Sequence, residues 1–200
     1  MDNENQIRNL ISKLSDLPTT KSTFLAILNL YQNPYATMKD LEDIVKNDIS
    51  LTTRILKLVN SSFYGLRNQV TNIEIAVRLL GIGTVKTIAL ATSVFDFVGF
   101  EHIVNKNGLW LHSWMVGFLA KTLAERFSLP DRDILFLAGL LHDIGKLILS
   151  KYLSVEYKLV LARLDVEDID EIRIEKECFN FTHDYLGGLV LKTWGFHEKV

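Results

Sequence analysis

The stretch "LLHDIGKLIL", residues 140–149, decides how this chain is read. It sets a His, an Asp and a Lys among six aliphatic positions and one glycine. Burying three ionisable groups in such a run costs free energy unless a metal ion or neighbouring side chains pair with them. Adjacent residues on a helix project about 100° apart, so His142 and Asp143 reach one ion only where the backbone passes close to it. Lys146 is i+4 from His142 and i+3 from Asp143 and shares their face. It can pair with Asp143 or hold a phosphate as a point charge.

Two more histidines have suggestive positions. His112 falls inside the apolar helix "GLWLHSWMVGFLA", and a helix there packed antiparallel to 131–141 brings His112 toward His142. His183, in "FNFTHDYLGG", opens the final helix, and Gly187 and Gly188 allow close helix approach. His112, His142, Asp143 and His183 then form a metal constellation built from several helices. Imidazole with carboxylate suits Mn, Fe, Zn or Mg rather than copper. Structural readings compete with each assignment. A histidine on an apolar helix is more often a satisfied interior group, His183 with Asp184 can be a capping pair, and Asp143–Lys146 can be an intrahelical ion pair. His102 and His197 read as surface groups.

Helix periodicity dominates the chain. Phe24, Ile27, Leu28 and Tyr31 lie on one helix face, and Pro34 ends that helix. Thr37 with Asp40 resembles a capping box, and Ser50 is the expected cap of the next helix. "NSSFYG" (60–65) is turn chemistry, with Phe63 and Tyr64 either docked on the core or facing a partner. Asn72 opens a short helix and Gly81 stops it. The spacing predicts a helix from Thr84 to about Val98, with the β-branched run Thr84–Ile88 the one ambiguous place. "HIVNKNG" (102–108) reads as a hinge. Beyond it the pattern predicts helices over about 109–127, 131–141, one starting inside or just after the opening stretch, 154–164, 168–177 and 182–194. Trp110, Trp114, Trp194, Phe118, Phe136 and Phe181 are the expected aromatic filling of this half, and Cys178 a small buried group. No strand alternation is sustained, so the fold class is all-α.

Two hundred residues with 48% hydrophobic content suit one compact domain or two small lobes sharing a core. A net charge of -2 and the lack of any Lys/Arg run argue against a chain that lives on nucleic acid. Residues 40–60 can imitate a helix-turn-helix, but the acidic "KDLEDIVKND" repels phosphates. One cysteine excludes an intrachain disulfide and fits a reducing compartment. The polar N-terminus lacks the apolar core of a signal peptide, and no apolar stretch is long enough to span a bilayer. The expected setting is cytoplasmic, with no membrane partner.

"FLAGLLHDIGKLIL" with the upstream "LHSWMVGFLAKTLA" resembles the HD superfamily and, within it, the HDOD (HD-related output domain) family. The first half carries the resemblance too, in "LPTTKSTFLAILNL", "DLEDIVKNDISLTTRILKLVNSSFYG" and "NIEIAVRLLGIGTVKTIAL", and so does the tail "FNFTHDYLGGLVLKTWGF". The resemblance implies an N-terminal extension (1–13) before one HDOD-like domain (14–200). That domain comprises a helical first part (about 14–101) packed on an HD-type half (about 106–200). It implies that His112, His142, Asp143, Lys146 and His183 match the family's first His, His-Asp pair, following Lys and next His. Catalytic HD relatives carry a further His-His pair, a final Asp and, in the HD-GYP type, a Gly-Tyr-Pro signature. None has a counterpart in these 200 residues, and after Lys146 comes "LILSKY".

The implied function is a bacterial signal-transduction or regulatory domain, non-catalytic, serving as a protein-interaction or ligand-sensing module. Its partners would be signalling proteins that the sequence does not identify, or a nucleotide or cyclic dinucleotide. The alternative is a metal-dependent HD-type phosphohydrolase or phosphodiesterase acting on a nucleotide or cyclic dinucleotide. There the metal would generate hydroxide, Lys146 would stabilise phosphate charge, and Asp143 would hold metal or act as base.

Overall fold

Start and stop signals cut the chain into short helices, and close glycine contacts decide how they pack. A computed structural model describes residues 3–15, 21–61, 64–99, 106–196 and 200. All its described regular structure is helical: α1 (Asn3–Ser15), α2 (Lys21–Gln32), α3 (Met38–Val45), α4 (Ile49–Val59), α5 (Ile73–Leu80), α6 (Ile82–Val98), α7 (Lys106–Arg126), α8 (Arg132–Leu141), α9 (Ile144–Tyr152), α10 (Ser154–Leu164), α11 (Glu171–Phe179) and α12 (His183–Thr193). The chain divides into two compact units. One is residues 18–97; the other is residues 98–200 together with 1–17.

In the 18–97 unit, local capping sets the helix starts. Thr37 and Asp40 form the reciprocal capping box of α3. The cap of α4 is Asp48, not Ser50: its carboxylate accepts from the Leu51 N–H at 2.9 Å while its carbonyl accepts from Thr52. A carboxylate at that position satisfies an orphan donor and also faces the positive end of the helix dipole, which a hydroxyl two residues later cannot match. Asn72 caps α5 through the Ile75 N–H. Gly81, at φ 82°, takes a left-handed conformation that lets α6 begin at Ile82 rather than Thr84. The β-branched run is thus helical. The turn after α4 is held by Asn60, whose amide donates to the Val70 carbonyl at 2.8 Å and accepts from the Val70 N–H at 2.7 Å. Tyr64 is half-buried; Phe63 lies outside the described residues, as do Leu17 to Thr20 and positions 102–105 of the expected hinge.

In the second unit, α7 and α8 pack on each other at Gly117 and Gly139. A Cβ on Gly139 would stand 2.6 Å from the Gly117 Cα, so the backbones touch without side chains between them. Trp114 meets Phe136 edge-on beside this crossing. A second close approach joins α9 to α12. A Cβ on Gly145 would lie 1.9 Å from the His183 carbonyl oxygen, and one on Gly187 would lie 3.1 Å from Ile144. Gly188 faces open space and takes no part.

The aromatic filling is only partly as expected. Trp114, Phe136 and Phe181 are buried, Trp110 and Trp194 are half-buried, and Phe118 is 38% exposed. Helix α7 is apolar on nearly every side, so its outward face carries Leu111, Met115, Leu119 and Leu123 in an i, i+4 row that Phe127 continues just past its end. Cys178 is half-buried. Among the described residues, no helix is long and apolar enough to cross a membrane.

Candidate metal centre

The chain breaks its helix at the His-Asp pair. Helix α8 ends at Leu141 and α9 starts at Ile144, leaving His142 and Asp143 in the junction. Asp143 has φ −100° and ψ 14°, the bridge conformation common at functional sites. This bend is how two neighbouring side chains, which would diverge on a continuous helix, converge on one point. The Gly117–Gly139 crossing brings α7 to the same place.

Three donor atoms meet there. His112 Nε2 lies 3.1 Å from His142 Nε2 and 3.7 Å from Asp143 Oδ2; His142 Nε2 lies 3.4 Å from the same oxygen. With metal–ligand bonds of about 2.0–2.2 Å, neighbouring donors stand about 2.8–3.1 Å apart in an octahedral shell and about 3.3–3.6 Å in a tetrahedral one. The triad therefore fits one divalent ion once His112 moves about 0.1 Å or more toward Asp143. His142 Nδ1 lies 2.8 Å from the Gly139 carbonyl. Donating there, it leaves Nε2 with its lone pair toward the triad, the orienting bond typical of ligating histidines. A divalent ion at this point would supply Lewis acidity and a lowered water pKa. His112 is more than half exposed, so it is not the satisfied interior histidine of the competing reading.

His183 stands on the other side of Asp143. Its Nε2 is 3.3 Å from Asp143 Oδ1, while the triad faces Oδ2. Its Nδ1 lies 2.8 Å from both oxygens of Glu175, and its backbone N–H donates to Glu175 Oε2 at 2.8 Å. Glu175 is fully buried. Burial alone would lower the His183 pKa, but hydrogen bonds to Asp143 and then Glu175 override it and push it up to about 9. His183 is thus an imidazolium bridging two carboxylates. The helix start is served instead by Asp184, which accepts from the Tyr185 N–H.

Lys146 closes the network. Its ammonium lies 3.2 Å from Asp143 Oδ2 and 2.9 Å from Glu171 Oε2. Burial opposes its charge, but Glu171 and Asp143 outweigh that and hold its pKa above the ordinary lysine value. For Asp143, burial would raise the pKa; the His183 hydrogen bond and the Lys146 ammonium win, keeping the carboxyl well below the usual range. Tyr157 donates to Glu171 Oε1 at 3.4 Å, and burial followed by the nearby carboxylates pushes its pKa up. The Asp143–Lys146 contact is therefore a mostly buried part of a larger network, not an isolated surface pair.

Glu171 and Glu175 are the site residues that the sequence reading missed. They are i, i+4 on one helix face, which Phe179 continues, but in the charged stretch 171–179 that spacing does not set them apart from solvated residues. His112, Asp143, Lys146 and Glu171 line the polar end of a cleft of about 710 Å³, with Leu109 and Leu161 on its apolar wall. His102 and His197 lie outside the described residues.

A family model for the HDOD domain matches residues 17–200. Solved structures agree. An HDOD domain protein of unknown function from Geobacter sulfurreducens is 27% identical with a TM-score of 0.80, over 98% of this chain and 67% of that one. A proposed signal transduction protein from Marinobacter aquaeolei VT8 is 27% identical with a TM-score of 0.80, over 98% of this chain and 48% of that one. A proposed phosphohydrolase from Shewanella amazonensis SB2B is 25% identical with a TM-score of 0.79, over 94% of this chain and 67% of that one. The chain spans about a third of the length of the curated relatives it matches. The His-Asp junction between two helices, its helical surroundings and the match over nearly the whole sequence lead to one assignment: the chain belongs to the HDOD domain family.

Proposed function

We propose that this chain is a bacterial regulatory module that senses a ligand in the cleft beside Asp143 and does not hydrolyse it. One observation carries the reading. Asp143, the carboxylate a hydrolytic site would need both for metal and as base, has Oδ1 held by His183 and Oδ2 shared between Lys146 and the ion position of the triad, so neither oxygen is left to act as base. The triad supplies three ligands to one ion, and in-line diester cleavage by a two-metal clamp needs more. The cleft volume lies within the range of small-molecule sites. Lys158 and the apolar wall would take the phosphate and base of a nucleotide or cyclic dinucleotide, with a divalent ion on the triad offsetting the cleft's carboxylates Asp143, Asp165 and Glu171. The signal-transduction relative supports the same role.

The test is binding and turnover measured side by side. Nucleotides and cyclic dinucleotides are titrated calorimetrically with and without Mn, Fe, Zn or Mg, and the same mixtures are analysed for product. Binding without product is expected. Hydrolysis that His142→Ala abolishes would replace this reading with the phosphohydrolase one, which the intact His112–His142–Asp143 triad and the Shewanella relative favour.

A further inference from the structure

Helix α7 has one face that no described residue covers. Leu111, Met115, Leu119 and Leu123 stand four residues apart along it, 59%, 51%, 55% and 51% exposed, and Phe127, 66% exposed, extends the row past the helix end. Each shows on the order of 100 Å² of apolar surface, so the row presents about 500 Å², near the upper end of what a monomer leaves in one patch. No other described helix carries such a row: α10 exposes two large apolar side chains, Val155 and Leu159, and α2, α4, α5 and α12 one each. The row is also poor in charge. Between Leu111 and Leu123 the only Lys, Arg, Asp or Glu is Lys121, whose ammonium lies 2.9 Å from Asp133 Oδ1 and over the Phe136 ring, both on α8. Charged groups return at the helix end, in Glu125 and Arg126.

From this face we infer that α7 is the contact of a symmetric dimer, in which a second copy of the chain lays its own α7 antiparallel on the row, with the two-fold axis at Leu119. The composition, the spacing and the area all select a second copy as the occupant. An apolar centre with charge confined to its edge is typical of interfaces between like subunits, which are more apolar than transient contacts. Rows of i, i+4 spacing are the ridges by which helices commonly pack. A two-fold axis at Leu119 sets that residue against itself and Met115 against the partner's Leu123, because both stand four residues from the axis. The row is thus its own complement, as a contact between identical patches requires. Two rows covered together bury about 1,000 Å², the least a specific interface needs. Phe118, 38% exposed, and Leu129, 50% exposed, stand close by in sequence to enlarge it. His112 falls between Leu111 and Met115 in the chain and lines the cleft, so the contact runs beside the triad. The inference does not depend on what the cleft binds.

Sedimentation equilibrium of the full 200-residue protein tests this. A dimer is expected to form within about 1–100 μM. Leu119→Glu sets two carboxylates against each other at the axis, and Met115→Glu sets one against an apolar side chain; each is expected to weaken the dimer at least tenfold. Both positions are exposed in the single chain, so the helical circular dichroism should be unchanged, and Met115→Glu decides if Leu119→Glu does not fold. Leu159→Glu, on α10 and equally exposed at 56%, is expected to keep the dimer. Leu119→Cys in a Cys178→Ser background is expected to give a disulfide-linked dimer on oxidation, and Met115→Cys in the same background is not. A wild type that stays monomeric at about 100 μM overturns the inference and leaves the row to a different partner. A dimer that survives the α7 glutamate variants, or that Leu159→Glu breaks as readily, overturns it as well. Cross-linking through Met115→Cys but not through Leu119→Cys overturns the axis at Leu119.

Discussion

Gly145 lies so close to His183 that a Cβ on it would stand 1.9 Å from the histidine's carbonyl oxygen. This contact seats the start of α12 against the start of α9 and so aims the His183 ring at Asp143. Gly145→Ala forces backbone apart where no flexible side chain can give way. Overpacking of this kind costs about 1–3 kcal/mol. Gly188, one turn into the same helix α12, has nothing within 4 Å of its would-be Cβ. Gly188→Ala should therefore stabilise by about 0.5–1 kcal/mol through helix propensity. Thermal unfolding of the two variants should move in opposite directions; parallel shifts would contradict the packing described.

Glu175 is the keystone of the buried network. It accepts from the His183 backbone N–H and ring, and no water reaches it. Glu175→Ala leaves an imidazolium and a backbone donor buried without their partner. Breaking a buried pair from one side costs about 3–5 kcal/mol. Glu175→Gln retains an acceptor and should lose less. Urea unfolding with an unchanged m-value measures both; a loss below about 1 kcal/mol for the alanine variant would show that the pair is not buried as described.

His183 makes stability depend on pH in the alkaline direction. Its pKa rises from 6.5 to about 9 on folding. Between those values the folded chain holds a proton that the unfolded chain has released, so the contribution is complete below 6.5 and is lost as pH rises through about 9. The shift corresponds to roughly 3 kcal/mol. In chelator-treated protein, the melting temperature should decline from pH 6.5 to 9.5. His183→Gln, which cannot titrate, should lack this decline; equal slopes in the two proteins would remove His183 as its source.

What was legible in the sequence was local. The Thr37–Asp40 capping box, the Asn72 cap and the Gly81 stop are decided within a turn of chain, and each stands where its chemistry placed it. A helix ending at about residue 141 was legible, but the start of the next, inside or just after 140–149, was not fixed, because aliphatic residues flank the His-Asp pair on both sides. Choices that depend on distant partners were not legible. Ser50 and Asp48 are both good caps, and only the chain's path into α4 selects the aspartate. Phe118 sits on a helix that is apolar on nearly every side, so periodicity gave no sign of its outward side. Glu175 reads as a solvated residue in the charged stretch "EIRIEKECF" until the start of α12, eight residues on, closes over it.

Asn60 offers a test of the same idea in the other unit. It ends α4, and its side chain also donates to the Leu56 carbonyl at 2.8 Å. More important, its amide pairs with both backbone groups of Val70, a residue 2% exposed and outside any helix. Those groups have a donor and an acceptor supplied by one planar amide ten residues away. Asn60→Ala removes both and leaves two buried backbone groups unsatisfied, at about 1–3 kcal/mol each before relaxation lets water in. Asn60→Asp keeps an acceptor for the Val70 N–H but sets a carboxylate against the Val70 carbonyl, so it should not rescue the alanine variant fully. Hydrogen exchange at the Val70 amide reads this site directly. A local loss of about 1.4 kcal/mol speeds exchange roughly tenfold, and Asn60→Ala should exceed that while amides in α2 stay unchanged. Acceleration spread evenly over the unit would mean that Asn60 supports global stability, and that the turn after α4 is held by something other than its amide.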